Sequence, residues 1–364
     1  TVTRFLMVLC GSLSGLLLVL VIGSVVAHTP DNRLAAESVI VEASGPDSYQ
    51  AFFDTDPGFD VLRAFFEQLV RTKGGEYAFD VLINADLPPR VDTHLMGHFV
   101  GYAMYEETGI DGIEICTADL GYACSHAMVI SALLEMGPGV FDVIHEVCER
   151  SAEKTGGGGA YYLCFHGFGH GVIAYTEYDV PQAIELCEKT ATEKYQREEF
   201  AECVGGVVMD MRDGLHDPAL WREFGQQYLD PDNPLHICQQ DFMPYEVKDK
   251  CYFFVTPYIH DHVGMVNFPT DEQNAEAMTY CENEPDPYLR RYCYGAFAKE
   301  YIGYVHGRDV RAIPRSTDEE LRAMVDDCML APTSFGQHAC VEFATYSLYR
   351  SGVNQPSLLS RFCA

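Results

Sequence analysis

Five histidines in the first half of the chain carry the clearest chemical signal. His94 and His98 lie four residues apart, and so do His166 and His170 within "LCFHGFGHGV", so each pair would share one face of a helix. His126 lies between the two pairs along the chain. Imidazole binds zinc, copper and iron, and two histidines at this spacing can chelate one ion. The five histidines are therefore candidate ligands of a transition metal.

Three acidic residues near the first histidine pair, Asp92, Glu106 and Glu107, are candidate oxygen ligands for the same ion. Two other interpretations of the histidines stay open. They could form a structural layer at the starts of helices, or a pH-sensitive interface. A catalytic metal would also need an open coordination position, which depends on the fold.

Glycines accompany both histidine pairs, and glycine disfavours a helix by up to about 1 kcal/mol relative to alanine. Their presence at helical positions indicates that a neighbouring helix approaches closely, or that a ligand needs the space. The glycines concerned are Gly97, Gly167, Gly169 and Gly171.

The elements that must carry these histidines are marked by a repeat of cysteines. Of 14 cysteines, all but Cys10 and Cys363 fall into six successive pairs, and the gaps between pairs are longer than the separations within them. Asp92 occupies the cysteine position of one earlier unit. Counted from Asp92, Cys124 and Cys164, which hold this position in the first three units, the residue two positions later is always a histidine. The pairs are Cys116 with Cys124, Cys148 with Cys164, Cys187 with Cys203, Cys238 with Cys251, Cys281 with Cys293, and Cys328 with Cys340.

The short separations favour a disulfide within each pair. Residues at equal distances from the turn of a helical hairpin face one another, and Cys187 and Cys203 are symmetric about the polar stretch "EKYQRE". The alternative register joins cysteines across the long gaps and leaves Cys116 alone. Buried thiols or zinc ligands are a further alternative, but no C-x-x-C motif supports a zinc ribbon. Six disulfides would require an oxidising compartment.

Apolar residues at helical spacing surround the cysteines, as in "VPQAIELCEKTA" and "DEELRAMVDDCML". The unit is therefore a helix, a loop and a second helix, repeated about six times. This pattern predicts an all-α, solenoid-like α/α repeat domain over residues 60–364, in which each unit buries its apolar stripe against its neighbours.

The N-terminus predicts a membrane anchor over residues 1–27, followed by a tether over residues 28–59. Residues 5–27 contain no charged side chain, and this length exceeds the usual apolar region of a signal peptide. Gly11 and Gly15 would let a second membrane helix pack closely. Arg4 before the span places the N-terminus in the cytoplasm and the domain in the periplasm or an equivalent extracytoplasmic space.

The net charge of the chain indicates which classes of macromolecule it can bind. The formal net charge of −30 disfavours binding to nucleic acid and favours a basic soluble protein as a partner. Together with the anchor in the bilayer, these features predict a non-catalytic accessory or scaffold subunit of a membrane protein complex, for example a respiratory or photosynthetic one. The alternative is a metalloprotein or metalloenzyme that uses the histidines. No catalytic residue is assigned.

Overall fold

A computed structural model describes residues 49–155, 158–212, 214, 217–350 and 356–364. The predicted membrane span, with Gly11, Gly15 and Cys10, and residues 28–48 of the predicted tether lie outside the described residues. Every regular element within the described residues is a helix, which confirms the all-α prediction.

The described residues form eighteen α-helices, joined in places by short 3-10 helices. They are α1 Gln50–Phe53, α2 Phe59–Lys73, α3 Gly75–Asn84, α4 Thr93–Thr108, α5 Ala123–Met136, α6 Ile144–Thr155, α7 Gly158–Tyr175, α8 Val180–Glu188, α9 Glu198–Asp210, α10 Pro218–Phe224, α11 His236–Gln239, α12 Tyr245–Phe254, α13 Thr256–His262, α14 Asp271–Thr279, α15 Pro287–Val305, α16 Asp318–Met329, α17 Ser334–Arg350 and α18 Pro356–Phe362. The 3-10 helices are Gly109–Ile115, Gly137–Asp142, Glu193–Tyr195, Gly225–Tyr228, Tyr280–Asn283 and Val310–Arg315.

Seven of these helices form an inner row. Helices α4, α5, α7, α9, α12, α15 and α17 pack in that order, each against the next. Six of them carry the second cysteine of a pair in their first two turns, and α4 carries Asp92 as its N-cap instead. The sequence repeat therefore corresponds to the inner row, and the preceding helices lie outside it.

All six disulfides have the short register. Each joins the segment before an inner helix to that helix, with Cα–Cα distances between 5.4 and 5.6 Å. The first bridge differs from the predicted helical hairpin, because Cys116 follows a 3-10 helix rather than an α-helix. Cys363 is a free thiol and is exposed. Each disulfide fixes the position of the N-terminal part of one inner helix relative to the helix or turn that precedes it.

The inner row returns on itself, a closure that the repeat pattern in the sequence does not predict. Arg311, in the 3-10 helix after α15, donates hydrogen bonds to the carbonyl oxygens of Leu82 and Ala85 at the end of α3, at 2.7 and 2.8 Å. The Thr93 hydroxyl at the start of α4 donates to Asp309 at 3.2 Å. These contacts join segments more than 200 residues apart, and the inner helices therefore surround a space.

The helical domain begins before residue 60. Tyr49 and Phe53 are buried, and their rings pack against Phe65 of α2 at centroid distances of 5.2 and 5.4 Å. Residues of the segment predicted as a tether therefore pack on the helical domain from Tyr49 onwards. The sequence pattern hides this because α1 is a single helical turn.

Among the described residues, one stretch is long and apolar enough to cross a membrane. It is Ala123–Asp142, which comprises α5 and the 3-10 helix after it, and 56% of its apolar window is buried inside the fold. A core helix meets the same criteria, and α5 packs against both α4 and α7 in the inner row.

Candidate metal centre

The inner helices surround a cavity of about 320 Å³, with residues from α4, α5, α7, α9, α12, α15 and α17 in its wall. Four of the five predicted histidine ligands line it: His94, His126, His166 and His170. The fifth, His98, lies one helical turn from His94 on the same face of α4, with ring centres 5.0 Å apart. The structure thus brings all five histidines into one continuous cluster at the cavity.

The tautomer of His94 is fixed by its surroundings. Its Nδ1 lies 2.8 Å from the carbonyl oxygen of Leu120, and a carbonyl oxygen can only accept a hydrogen bond. Nδ1 therefore carries the proton, and Nε2 presents a lone pair to the cluster. A backbone carbonyl holding the second nitrogen is the usual outer partner of a metal-bound histidine.

His98 and His126 complete a group with His94. One ring nitrogen from each of the three lies within 4.8 Å of the other two. The Nε2 atoms of His94 and His98 are 3.3 Å apart. Two nitrogens bound to one tetrahedral zinc ion at 2.0–2.1 Å are also about 3.3 Å apart. Without an ion the two nitrogens share a hydrogen bond, and their spacing also matches that of two ligands of one ion.

His126 is the most isolated polar group in the cluster. Its side chain is 3% exposed, and neither ring nitrogen makes a hydrogen bond of normal geometry with any described residue. Burial lowers the pKa of His126 well below its ordinary value, and the neighbouring imidazoles of His166, His94 and His170 act in the same direction, opposed by the Leu163 carbonyl. The ring is therefore neutral at pH 7, which is the form that binds metals.

The second histidine pair lies on α7, where His166 and His170 have ring centres 4.9 Å apart. Burial lowers the pKa of His166 well below its ordinary value, and His170 and Lys299 add to the effect. His170 Nδ1 lies 3.6 Å from an oxygen of buried Asp210. The other Asp210 oxygen accepts a 2.8 Å hydrogen bond from the Tyr178 hydroxyl.

Glycine allows α7 to lie this close to its neighbours. A Cβ atom at Gly169 would lie 2.0 Å from the Cys203 carbonyl oxygen of α9, and one at Gly167 would lie 2.5 Å from the ring of His126. Alanine at either position would force the helices apart. The glycines of this segment therefore provide close helix contact, one of the two roles expected from the sequence.

The candidate oxygen ligands have different outcomes. Asp92 lines the cavity, but its carboxylate caps α4 by accepting from the Leu95 amide at 2.9 Å. Glu106 and Glu107 lie at the opposite end of α4, about 18 Å from His94 along the helix axis. Glu107 instead accepts a 3.0 Å hydrogen bond from the Gly75 amide. Neither glutamate can reach the histidines, so this part of the prediction is wrong.

The cavity lining also contains charged side chains that the sequence analysis missed. Lys250 Nζ lies 2.8 Å from Glu202 Oε1, and both residues are buried. Lys299 lies 5.5 Å from the ring centre of Phe254, which in turn stacks on His166 at 4.2 Å.

A signal for these residues exists in the repeat frame. Glu202 and Lys250 each stand one position before the second cysteine of their unit. Lys299 stands six positions after Cys293, as His170 does after Cys164. Other residues at these two repeat positions also line the cavity, among them Leu163 and Tyr292 at the first and Met209 at the second.

A purely structural histidine has a different environment in this protein. His260 is fully buried, and its Nε2 and Nδ1 lie 3.2 Å from Asn274 Oδ1 and from the Tyr304 hydroxyl, respectively. Buried polar atoms in proteins normally have such partners. His126 is equally buried, but neither of its nitrogens has a partner at normal hydrogen-bond geometry among the described residues; the Leu163 carbonyl is only a weak partner. This contrast favours a ligand role for His126 over a role in a structural layer.

The cavity lining thus combines imidazole nitrogens with aromatic rings and a buried ion pair. Comparison of this chain with protein-family models, with curated proteins and with solved structures finds no match.

Proposed function

We propose that the protein binds a transition-metal ion in its central cavity through His94, His98 and His126. The observation that carries this proposal is the convergence of three imidazole nitrogens within 4.8 Å of one another. The fixed tautomer of His94 and the isolated ring of His126 support it. Zinc, copper and iron are the metals that imidazole ligands suit.

Three protein ligands leave at least one coordination position for an exogenous molecule. Catalytic zinc sites have three protein ligands, whereas structural sites have four. The cavity beside the histidines supplies space for such a molecule, and its lining includes the rings of Phe253, Phe254 and Phe343. We therefore propose a reactive or ligand-binding centre rather than a structural one.

The compartment follows from the cysteines. Six disulfides persist only where thiols are oxidised, which supports a domain outside the cytoplasm. The uncharged stretch over residues 5–27 supports an anchor in the cytoplasmic membrane, with the N-terminus inside. Both the location and the anchor are part of the proposal.

A scaffold role in a membrane complex is the other function expected from the sequence. Open helical arrays bind partners on an extended concave surface. Here the corresponding faces of the inner helices turn towards the cavity. The geometry therefore favours metal binding over scaffolding, and an acidic surface that attracts a basic soluble protein is compatible with either.

Metal analysis of the full chain, exported to an oxidising compartment and purified in mild detergent, tests the proposal. The protein is stripped with a chelator and titrated separately with Zn²⁺, Cu²⁺ and Fe²⁺. We expect at least one ion per chain, and at least tenfold weaker binding in the His94→Gln variant.

The matched control is His260→Gln, which changes a buried histidine whose nitrogens already have partners. It should leave metal binding unchanged. A folded wild-type chain that binds none of the three ions stoichiometrically, or equal affinities in wild type and His94→Gln, would refute the proposal.

A further inference from the structure

His126 lies between the two histidine pairs and not only beside the first. Its ring centre is 5.9 and 5.6 Å from those of His94 and His98 on one side. It is 5.6 and 6.2 Å from those of His166 and His170 on the other. A single histidine on α5 thus has a chelating pair on each side, carried by α4 and α7.

These distances can be compared with those of a metal site. An ion bound at 2.0–2.1 Å to a ring nitrogen lies about 3.2 Å from the ring centre, so two imidazoles on one ion have centres about 4.5 to 6.4 Å apart for bond angles from 90° to 180°. All three distances among His126, His166 and His170 fall in this interval. Among the described residues, only His94, His98 and His126 have one nitrogen each within 4.8 Å of the others. The second set is therefore more open, and its rings would have to turn before one ion could bind all three.

The free atoms of the second set point to ligand chemistry. Both nitrogens of His126 and Nδ1 of His166 are buried without a partner at normal hydrogen-bond geometry among the described residues, and the Leu163 carbonyl is a weak partner of His126. A neutral imidazole has one donor and one acceptor, and to bury them unpaired costs about 1–3 kcal/mol each. Coordination of a metal ion by the lone pairs would offset this cost.

Asp210 lies beside the second pair. One oxygen of its carboxylate is 3.6 Å from Nδ1 of His170, just beyond hydrogen-bond distance, and the other accepts a hydrogen bond from the Tyr178 hydroxyl. A small shift would bring this carboxylate within hydrogen-bond distance of Nδ1, where it would act as the outer partner that a metal-bound histidine normally has. In the first pair, the Leu120 carbonyl already holds Nδ1 of His94 at 2.8 Å.

We propose that the cavity holds two metal ions, the second bound by His126, His166 and His170, with His126 bridging the two through its two ring nitrogens. This inference rests on the proposed function, because the first ion is the one bound by His94, His98 and His126. To bridge, His126 loses its ring proton to solvent, and the two cations stabilise the resulting imidazolate. Two ions bridged in this way lie about 6 Å apart. The centre would then be dinuclear and face the cavity from one wall.

Copper is the most informative probe, because a bridging imidazolate couples the unpaired electrons of two Cu²⁺ ions. The full chain is stripped, reloaded with Cu²⁺ alone, and measured for copper per chain and for its electron paramagnetic resonance signal. We expect two ions per chain and a signal far below that of two isolated ions. The His166→Gln variant should bind one ion and show the full signal of an isolated Cu²⁺.

Two further variants identify the bridge. His126→Gln removes one ligand from each site, so both ions should bind more weakly and the magnetic coupling should disappear. His260→Gln should keep two coupled ions. The content of disulfides and of helix, measured on every variant, shows that each is folded.

The outcomes separate this inference from the proposed function. One ion per wild-type chain, with His166→Gln unchanged, would overturn the second site and leave the first. Two ions without magnetic coupling would overturn the bridge. No ion in any sample would overturn both the inference and the proposed function.

Discussion

Replacement of Lys250 by methionine tests whether a buried ion pair in the cavity lining stabilises the fold. Lys250 Nζ lies 2.8 Å from Glu202 Oε1, and the Glu202 side chain is only 2% exposed. Glu198 lies 3.4 Å from the same nitrogen but is 45% exposed, so it contributes little. Lys250→Met keeps the apolar stem and leaves the Glu202 charge buried without its cation. The loss of a partner from such a pair costs about 3–5 kcal/mol of folding free energy.

Denaturant unfolding of the full chain at pH 7.5, without reductant, measures this free energy. The double variant Lys250→Met with Glu202→Met should recover most of the loss, because a buried ion pair and apolar residues of similar volume are often equally stable. Lys194→Met is the control. It breaks an ion pair of the same length, 2.9 Å to Glu149, between exposed side chains, and should change stability little. A loss below about 1 kcal/mol in Lys250→Met, or a double variant as unstable as the single one, would refute the reasoning.

Three further predictions concern stability. Burial and nearby carboxylates, among them Asp271, raise the pKa of Asp327 from 3.8 to about 6. Because the folded-state pKa lies above the unfolded value, the folded chain loses stability as pH rises through this interval. Asp327→Asn should therefore raise the free energy of unfolding by about 1–3 kcal/mol at pH 7.5 and leave it unchanged at pH 3.5, as measured by denaturant unfolding at both pH values. Removal of the bridge by Cys187→Ala with Cys203→Ala opens a loop with a separation of 16 residues, and should cost about 3 kcal/mol in the same assay; an unchanged midpoint would contradict this. Chelation of bound metal should lower the thermal midpoint, since free metal at 100 times its Kd stabilises the fold by about 2.7 kcal/mol; equal midpoints with and without chelator would count against a bound ion.

The cysteine repeat was the most informative feature of the sequence for the fold. Cys187 and Cys203 lie at equal distances from a polar turn, as two facing residues of antiparallel helices must, so the disulfide pairing could be derived from the sequence. The closure of the row of inner helices could not be derived in this way. It depends on contacts such as that between Arg311 and the Leu82 carbonyl, which join single residues far apart and leave no periodic pattern.

The site was predictable where one residue type recurs at one position. His126 and His166 share a column of the repeat, and the structure places both at the cavity. Lys250 and Lys299 line the same cavity from other columns. A search for histidines alone could not find them, since their orientation towards the cavity depends on how each inner helix is rotated.

The return of the inner row limits how this architecture can vary. An open array gains or loses a unit at its end with local consequences only, because each unit touches its neighbours alone. Here the hydrogen bonds from Arg311 to the end of α3 connect a late part of the row of helices to its beginning, so that the row closes. Insertion or deletion of one helix pair would change the size of this ring of helices, and with it the width of the cavity that the histidines line. The size of the cavity therefore limits how many repeat units the fold can contain.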